Sequence, residues 1–219
     1  MQLQQTPNGI SAPGLFTYTE RNLLSRTLGW LGLSLGITAA SSYLWTTDTL
    51  RLPFLLIIIA WFGLAFAMRP IAKASNEMAI LGICAFAFVG GQLIAPAIML
   101  KLQVDPGAVT NALTGTVIIF MVCAGIVWMT TYNFGAWAKW LFGALFVGII
   151  LMIASFFIPI SMLALNLFLG GVFVGLTLFD FWRVKQDRIN DNNSILLAVS
   201  LYLDFLNLFL ILLRIFSKK

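Results

Sequence analysis

The sequence contains no histidine, and charged residues occupy only 10% of its 219 positions. Without an imidazole there is no general base, zinc ligand or pH switch of the usual kind. Proton-linked behaviour near neutrality must then rest on carboxylates in unusual surroundings. Cysteine is nearly absent too. Cys84 and Cys123 each stand alone inside apolar runs and read as buried thiols rather than a disulfide or a metal pair. So little charge, with 60% hydrophobic residues and a mean hydropathy of +0.97, excludes a soluble globule of this size. The net charge of +5 makes nucleic acid no expected partner, because in a membrane chain the position of the positives matters more than their sum.

What is present is a series of apolar runs. A bilayer core of about 30 Å takes roughly 20 apolar residues per helix. On that ruler the chain divides into Arg26–Trp45, Leu52–Met68, Met78–Leu100, Val109–Thr131, Trp137–Phe157, Pro159–Phe181 and Ile195–Phe216. The expected fold is an all-α membrane protein of seven transmembrane helices. Residues 1–22 form a polar N-terminal tail that lacks the pattern of a cleavable signal, and 23–219 form one membrane domain with short loops. Eight basic residues, from Arg21 to Arg188, fall on one side, and five (Arg51, Lys101, Arg214, Lys218, Lys219) on the other. The excess of positives places the N-terminus in the cytoplasm and the C-terminus outside. Gly32-xxx-Gly36 and Gly171-xxx-Gly175 read as intramolecular packing faces. Gly90, Gly91, Gln92 and Pro96 read as an interruption of the third segment, either a kink or a pore-lining break with Gln92 at hand. Trp30, Trp45, Trp137, Trp140 and Trp182 suit interfacial anchors.

The chemistry concentrates between Leu178 and Phe216. Asp180 and Asp204 lie 24 residues apart in apolar sequence, with the polar run Asp187 to Asn193 between them. If that run joins two antiparallel helices, both carboxylates sit at similar depth. An aspartate near the middle of a membrane helix costs on the order of 2.5–3.5 kcal/mol, so two of them need a partner or a function. Ser200 at i−4 and Asn207 at i+3 share a face with Asp204. Thr177 at i−3 and Asn166, 14 residues earlier, give the preceding helix a matching polar stripe. At about 4 Å and an effective dielectric near 20, two carboxylates repel by roughly 4 kcal/mol and tend to share one proton. A neighbouring cation would oppose this. Arg69 is the candidate by topology, with Lys73 and Arg183 as alternatives. Arg188 to Asn193 has no EF-hand spacing and reads as a solvated turn.

The run SLYLDFLNLFLILLRIF (Ser200 to Phe216), preceded by Asp180 in an apolar helix, resembles the Bax inhibitor-1 family, bacterial branch. The likeness is specific over Val174 to Phe216 and extends more weakly back to Arg26. It implies a seven-helix bundle with a central C-terminal helix and a pH-sensitive calcium leak. It further implies that Asp180 and Asp204 are a di-aspartyl pH sensor and that Arg69, in FAMRP, is the latch of the closed state. Some bacterial relatives carry an acidic residue within the second helix, and Leu52–Met68 has none.

The expectation is therefore a calcium leak channel gated by Asp180, Asp204 and Arg69, with Asn207, Ser200, Asn166, Thr177 and Gln92 as supporting polar groups. Calcium prefers six to eight oxygens, so the two carboxylates would form a weak transit site and not a store. No cofactor and no enzymatic activity are expected. Partners are the lipid bilayer, calcium and protons, and the location is the plasma (inner) membrane of a bacterium or, alternatively, an internal eukaryotic membrane. A charge cluster that only fixes helix packing is a competing reading. Another is an interaction protein that modulates a membrane-bound AAA protease or a stress or cell-death response, as the resemblance also implies, with the tail as a handle. An intramembrane aspartyl protease would need Gly-x-Gly-Asp, where this chain has LYLDF.

Overall fold

The computed structural model describes residues 18–186 and 191–217. It contains the helices α1 (Tyr18–Thr46), α2 (Phe54–Ala74), α3 (Asn76–Val104), α4 (Pro106–Met129), α5 (Ala138–Ala154), α6 (Met162–Gln186) and α7 (Asp191–Phe216), with a 3₁₀ turn at Phe134–Trp137 before α5. Two of the joints are single residues. Ser75 ends α2 and caps α3, its hydroxyl accepting from the Met78 amide at 3.1 Å. Asp105 ends α3 and caps α4 through the Ala108 amide at 3.3 Å, with Pro106 in the first turn, where its missing N–H is no loss.

Among the described residues six helical stretches are long and apolar enough to cross a membrane, and the chain is a multi-pass, all-helical membrane protein. Seven helices are present, as expected, and six of them meet this measure of length and composition; α1 has the length but is less apolar. Its inner face carries Thr27, Ser34, Thr38, Ser41 and Ser42, all buried, and hydroxyls lower its hydropathy without lowering its burial. Residues 1–17 of the expected tail lie outside the described residues, while 18–22 already belong to α1. Of the expected turn, 188–190 lie outside them too, and Asp191 to Asn193 open α7.

α7 occupies the centre, touching α1, α2, α3, α4 and α6, while among the described residues α5 packs only on α6 and the 3₁₀ turn. Fully buried Phe86 stacks on Trp61 at 5.3 Å and meets the Tyr202 ring edge-on at 5.7 Å, tying α2, α3 and α7 together. Cys123 is buried, Cys84 is half-buried, and both are free thiols.

The third segment is not interrupted: α3 runs unbroken through Gly90, Gly91 and Pro96. The glycines serve a close approach instead. A Cβ on Gly91 would sit 2.5 Å from the Thr38 carbonyl oxygen and 2.7 Å from the Ser41 Cβ. Across that seam Thr38, Ser41 and Ser42 donate to the Ala87, Phe88 and Gly91 carbonyls at 3.0, 2.7 and 2.9 Å. Gly175 likewise admits Leu141 of α5, but Cβ atoms on Gly32, Gly36 and Gly171 would meet nothing within 4 Å. The packing expected of Gly32-xxx-Gly36 is therefore absent, and that face of α1 looks outward.

Candidate functional site: a carboxylate groove along the central helix

On α7 the residues Ser200, Asp204, Asn207 and Arg214 stand at i, i+4, i+7 and i+14, which at 100° per residue keeps them within an arc of about 80°. They border a groove of ≈ 490 Å³, together with Asp180 and Arg183 of α6, Trp61 and Arg69 of α2, and an apolar face of α5 that includes Phe142 and Met152. Fourteen residues at 1.5 Å rise make the groove about 21 Å long from Ser200 to Arg214. Among the described residues α2 and α5 do not touch, so the groove lies between them with α6 and α7 as its floor.

Asp180 and Asp204 are 7% and 5% exposed. They are neighbours across the α6–α7 contact. Arg183 binds Asp180, Nη1 to Oδ1 at 3.0 Å, and reaches the Ser200 hydroxyl at 3.5 Å. Its guanidinium sits 5.7 Å from the centroid of the Phe179 ring. Asp204 is less well served. Its Oδ2 is wholly buried with no hydrogen-bond partner. The Thr177 hydroxyl stands beside it, but that hydroxyl donates to the Phe173 carbonyl at 2.8 Å. An ionised Asp204 thus holds a charged oxygen out of water without a donor, a costly state. A proton on that carboxyl would remove the charge.

The structure brings together Asp180, Asp204, Thr177, Ser200 and Asn207, whose Nδ2 donates to the Leu203 carbonyl at 2.8 Å. Arg69 lines the same groove, but among the described residues it pairs with no carboxylate. The counter-ion of Asp180 is Arg183, three residues on along the same helix, where reach is automatic. Two expected residues lie elsewhere. Gln92 is fully buried in the α1–α3 seam, donating to the Ser41 carbonyl at 3.0 Å. Asn166 is buried on α6, about 21 Å along the axis from Asp180. Sequence reasoning passed over two groove residues. Trp61 has a buried Nε1 without a partner, and nothing in its apolar neighbourhood signals this. Arg214 entered only as a topological charge, although its i+7 spacing from Asn207 is readable in the sequence. No group of three or more histidine, cysteine, aspartate or glutamate side chains that could hold a metal occurs among the described residues. A cation in the groove would meet two carboxylates and a few neutral oxygens.

A family model described as inhibitor of apoptosis-promoting Bax1 matches residues 20–219. The modulator of FtsH protease YccA of Escherichia coli (strain K12) is 28% identical over 205 residues, covering 90% of this chain and 90% of that protein. A counterpart in a second Escherichia coli strain, named inner membrane protein YccA, matches to the same extent. Bax inhibitor 1 of Bos taurus is 28% identical over 219 residues, covering 93% of this chain and 89% of its own. With nearly the whole chain matched by one family model, and relatives in bacteria and cattle aligned over about nine tenths of their own length, the chain belongs to the Bax inhibitor-1 family.

Proposed function

We propose that this protein is a pH-sensitive leak for cations, calcium foremost, in the inner membrane of a bacterium, with its N-terminus in the cytoplasm. The observation that carries this reading is Asp204: a buried carboxyl with an unpartnered oxygen, against a second carboxyl, in a groove that follows α7 for about 21 Å. With one proton between them the two carboxyls are mutually satisfied. Loss of that proton sets two negative charges against each other, at roughly 4 kcal/mol for about 4 Å and a dielectric near 20. Arg183 and Arg69 both border the groove, and in this reading the second charge draws Arg69 inward. α2 carries Arg69 and is free of α5, so it is the wall that moves. Two carboxylates fall short of the six to eight oxygens calcium prefers, which suits transit and not storage. The test is calcium entry into liposomes loaded with a calcium dye. The wild type should show entry that varies with pH across the neutral range, and Asp204→Asn should abolish that variation. Entry that is absent at every pH, or unchanged in Asp204→Asn, refutes the leak.

A second reading is favoured by the relative named as a modulator of FtsH protease: this chain modulates a membrane-bound AAA protease, with residues 1–22 as the handle. Deleting the tail should then abolish copurification with such a protease and leave calcium entry intact.

A further inference from the structure

We infer that Arg214 is the charge filter at the second mouth of the Asp204 groove, an inference that rests on the leak reading above. Arg183 and Arg69 border the groove near Asp180, and Arg214 borders it at the far end of α7. Arg214 is exposed and, like Arg69 at the other end, pairs with no carboxylate among the described residues, unlike Arg183 and Arg51, which are bound to Asp180 and Asp48. The two ends therefore differ. At one, Asp180 offsets Arg183 and a carboxylate pair stands close to Arg69; at the other, Arg214 has no carboxylate beside it in the groove, and its full charge faces whatever approaches. A helix-end arginine that merely snorkels to lipid phosphate would not need to share a face, and a groove, with Asp204 and Asn207.

The size of the effect follows from spacing. Arg214 is seven residues from Asn207, about 10.5 Å along the axis. At that distance in a water-like dielectric one unit charge changes the local concentration of a monovalent ion about twofold and of a divalent one about fourfold. Arg214 thus holds down cation entry by about fourfold for calcium, and it raises the local concentration of anions.

The experiment uses the full chain in liposomes, with Cys84→Ala, Cys123→Ala and Asn207→Cys. Two impermeant thiosulfonates of similar size, one bearing a sulfonate and one a trimethylammonium, are added from the Arg214 side. With Arg214 in place the anionic reagent is favoured. Arg214→Gln should lower the anionic-to-cationic rate ratio about fourfold and Arg214→Glu about 15-fold, while Arg214→Lys retains it. In about 1 M salt, where the screening length is about 3 Å, the differences should vanish. In Arg214→Gln a Ser200→Cys thiol, about 21 Å from Arg214, should shift less than twofold. This second site keeps the test decisive if Asn207→Cys fails to fold, since a large shift there also counts against the filter. A ratio unchanged in Arg214→Glu, or an Asn207→Cys thiol that does not react from that side, overturns the inference. Calcium entry, measured in parallel, should rise about fourfold in Arg214→Gln. A shifted ratio with no calcium entry in any variant, wild type included, refutes the leak and leaves the filter standing.

Discussion

Replacing Gly91 with alanine should loosen the bundle, whereas the same replacement at Gly32 should tighten it, although both glycines sit in membrane helices. In a helix interior, alanine is favoured over glycine by about 1 kcal/mol, and at Gly32 nothing lies within 4 Å of the added methyl group. Gly32→Ala should therefore gain about 0.4–1 kcal/mol. At Gly91 the methyl group meets the Thr38 carbonyl oxygen at 2.5 Å, a backbone atom that cannot swing aside, so α1 must retreat from α3. Overpacking of this kind costs about 1–3 kcal/mol. Retreat also stretches the hydrogen bonds from Thr38, Ser41 and Ser42 to α3 carbonyls, at about 0.6 kcal/mol each in a membrane. Set against the helix-propensity gain, the net loss is about 2–4 kcal/mol. Reversible unfolding of both variants and the wild type in one lipid–detergent mixture, followed by circular dichroism against a denaturing detergent, measures it. Gly91→Ala at or above wild-type stability, or Gly32→Ala as damaging as Gly91→Ala, would refute the seam.

Tyr202→Phe removes a hydroxyl 2.7 Å from Thr38 Oγ1. It should cost about 0.6–1.7 kcal/mol in the same assay, and Thr38→Val should cost less on top of it than alone, because the pair shares one bond. Arg183→Gln takes the counter-ion from Asp180. It should alter the pH dependence of calcium entry more than Arg69→Gln does, because Arg183 is bound to the carboxylate and Arg69 is not. A larger movement in Arg69→Gln would make Arg69 the dominant cation of the groove.

The helices were legible because apolar runs of about 20 residues have few other readings. α1 shows the limit of that ruler: Arg26–Trp45 has the length, but Ser34, Thr38, Ser41 and Ser42 on its buried side make it a helix for a protein neighbour. Gly90 and Gly91 looked like a break because a sequence shows where a side chain is missing and not what fills the space. The same holds for Gly32-xxx-Gly36, whose spacing was visible while the empty surroundings were not. The meeting of Asp180 and Asp204 could be read from 24 residues arranged about a polar run. Which arginine would answer them could not, since Arg69 and Arg183 both border the groove and only side-chain reach decides between them. Asn166 returned to the right face of its helix at the wrong height, because periodicity fixes angle and leaves depth open.

The α1–α3 seam also bears on how the protein is made. In hydrocarbon an unanswered polar group is expensive, and three hydroxyls of α1 find their acceptors on α3. α1 is the first of these helices to leave the ribosome, yet these three hydroxyls reach their acceptors, at about 0.6 kcal/mol each in a membrane, only once α3 has been synthesised. The seam is therefore completed only after a second helix has passed: α1 brings the donors, and α3 is the surface that supplies their acceptors.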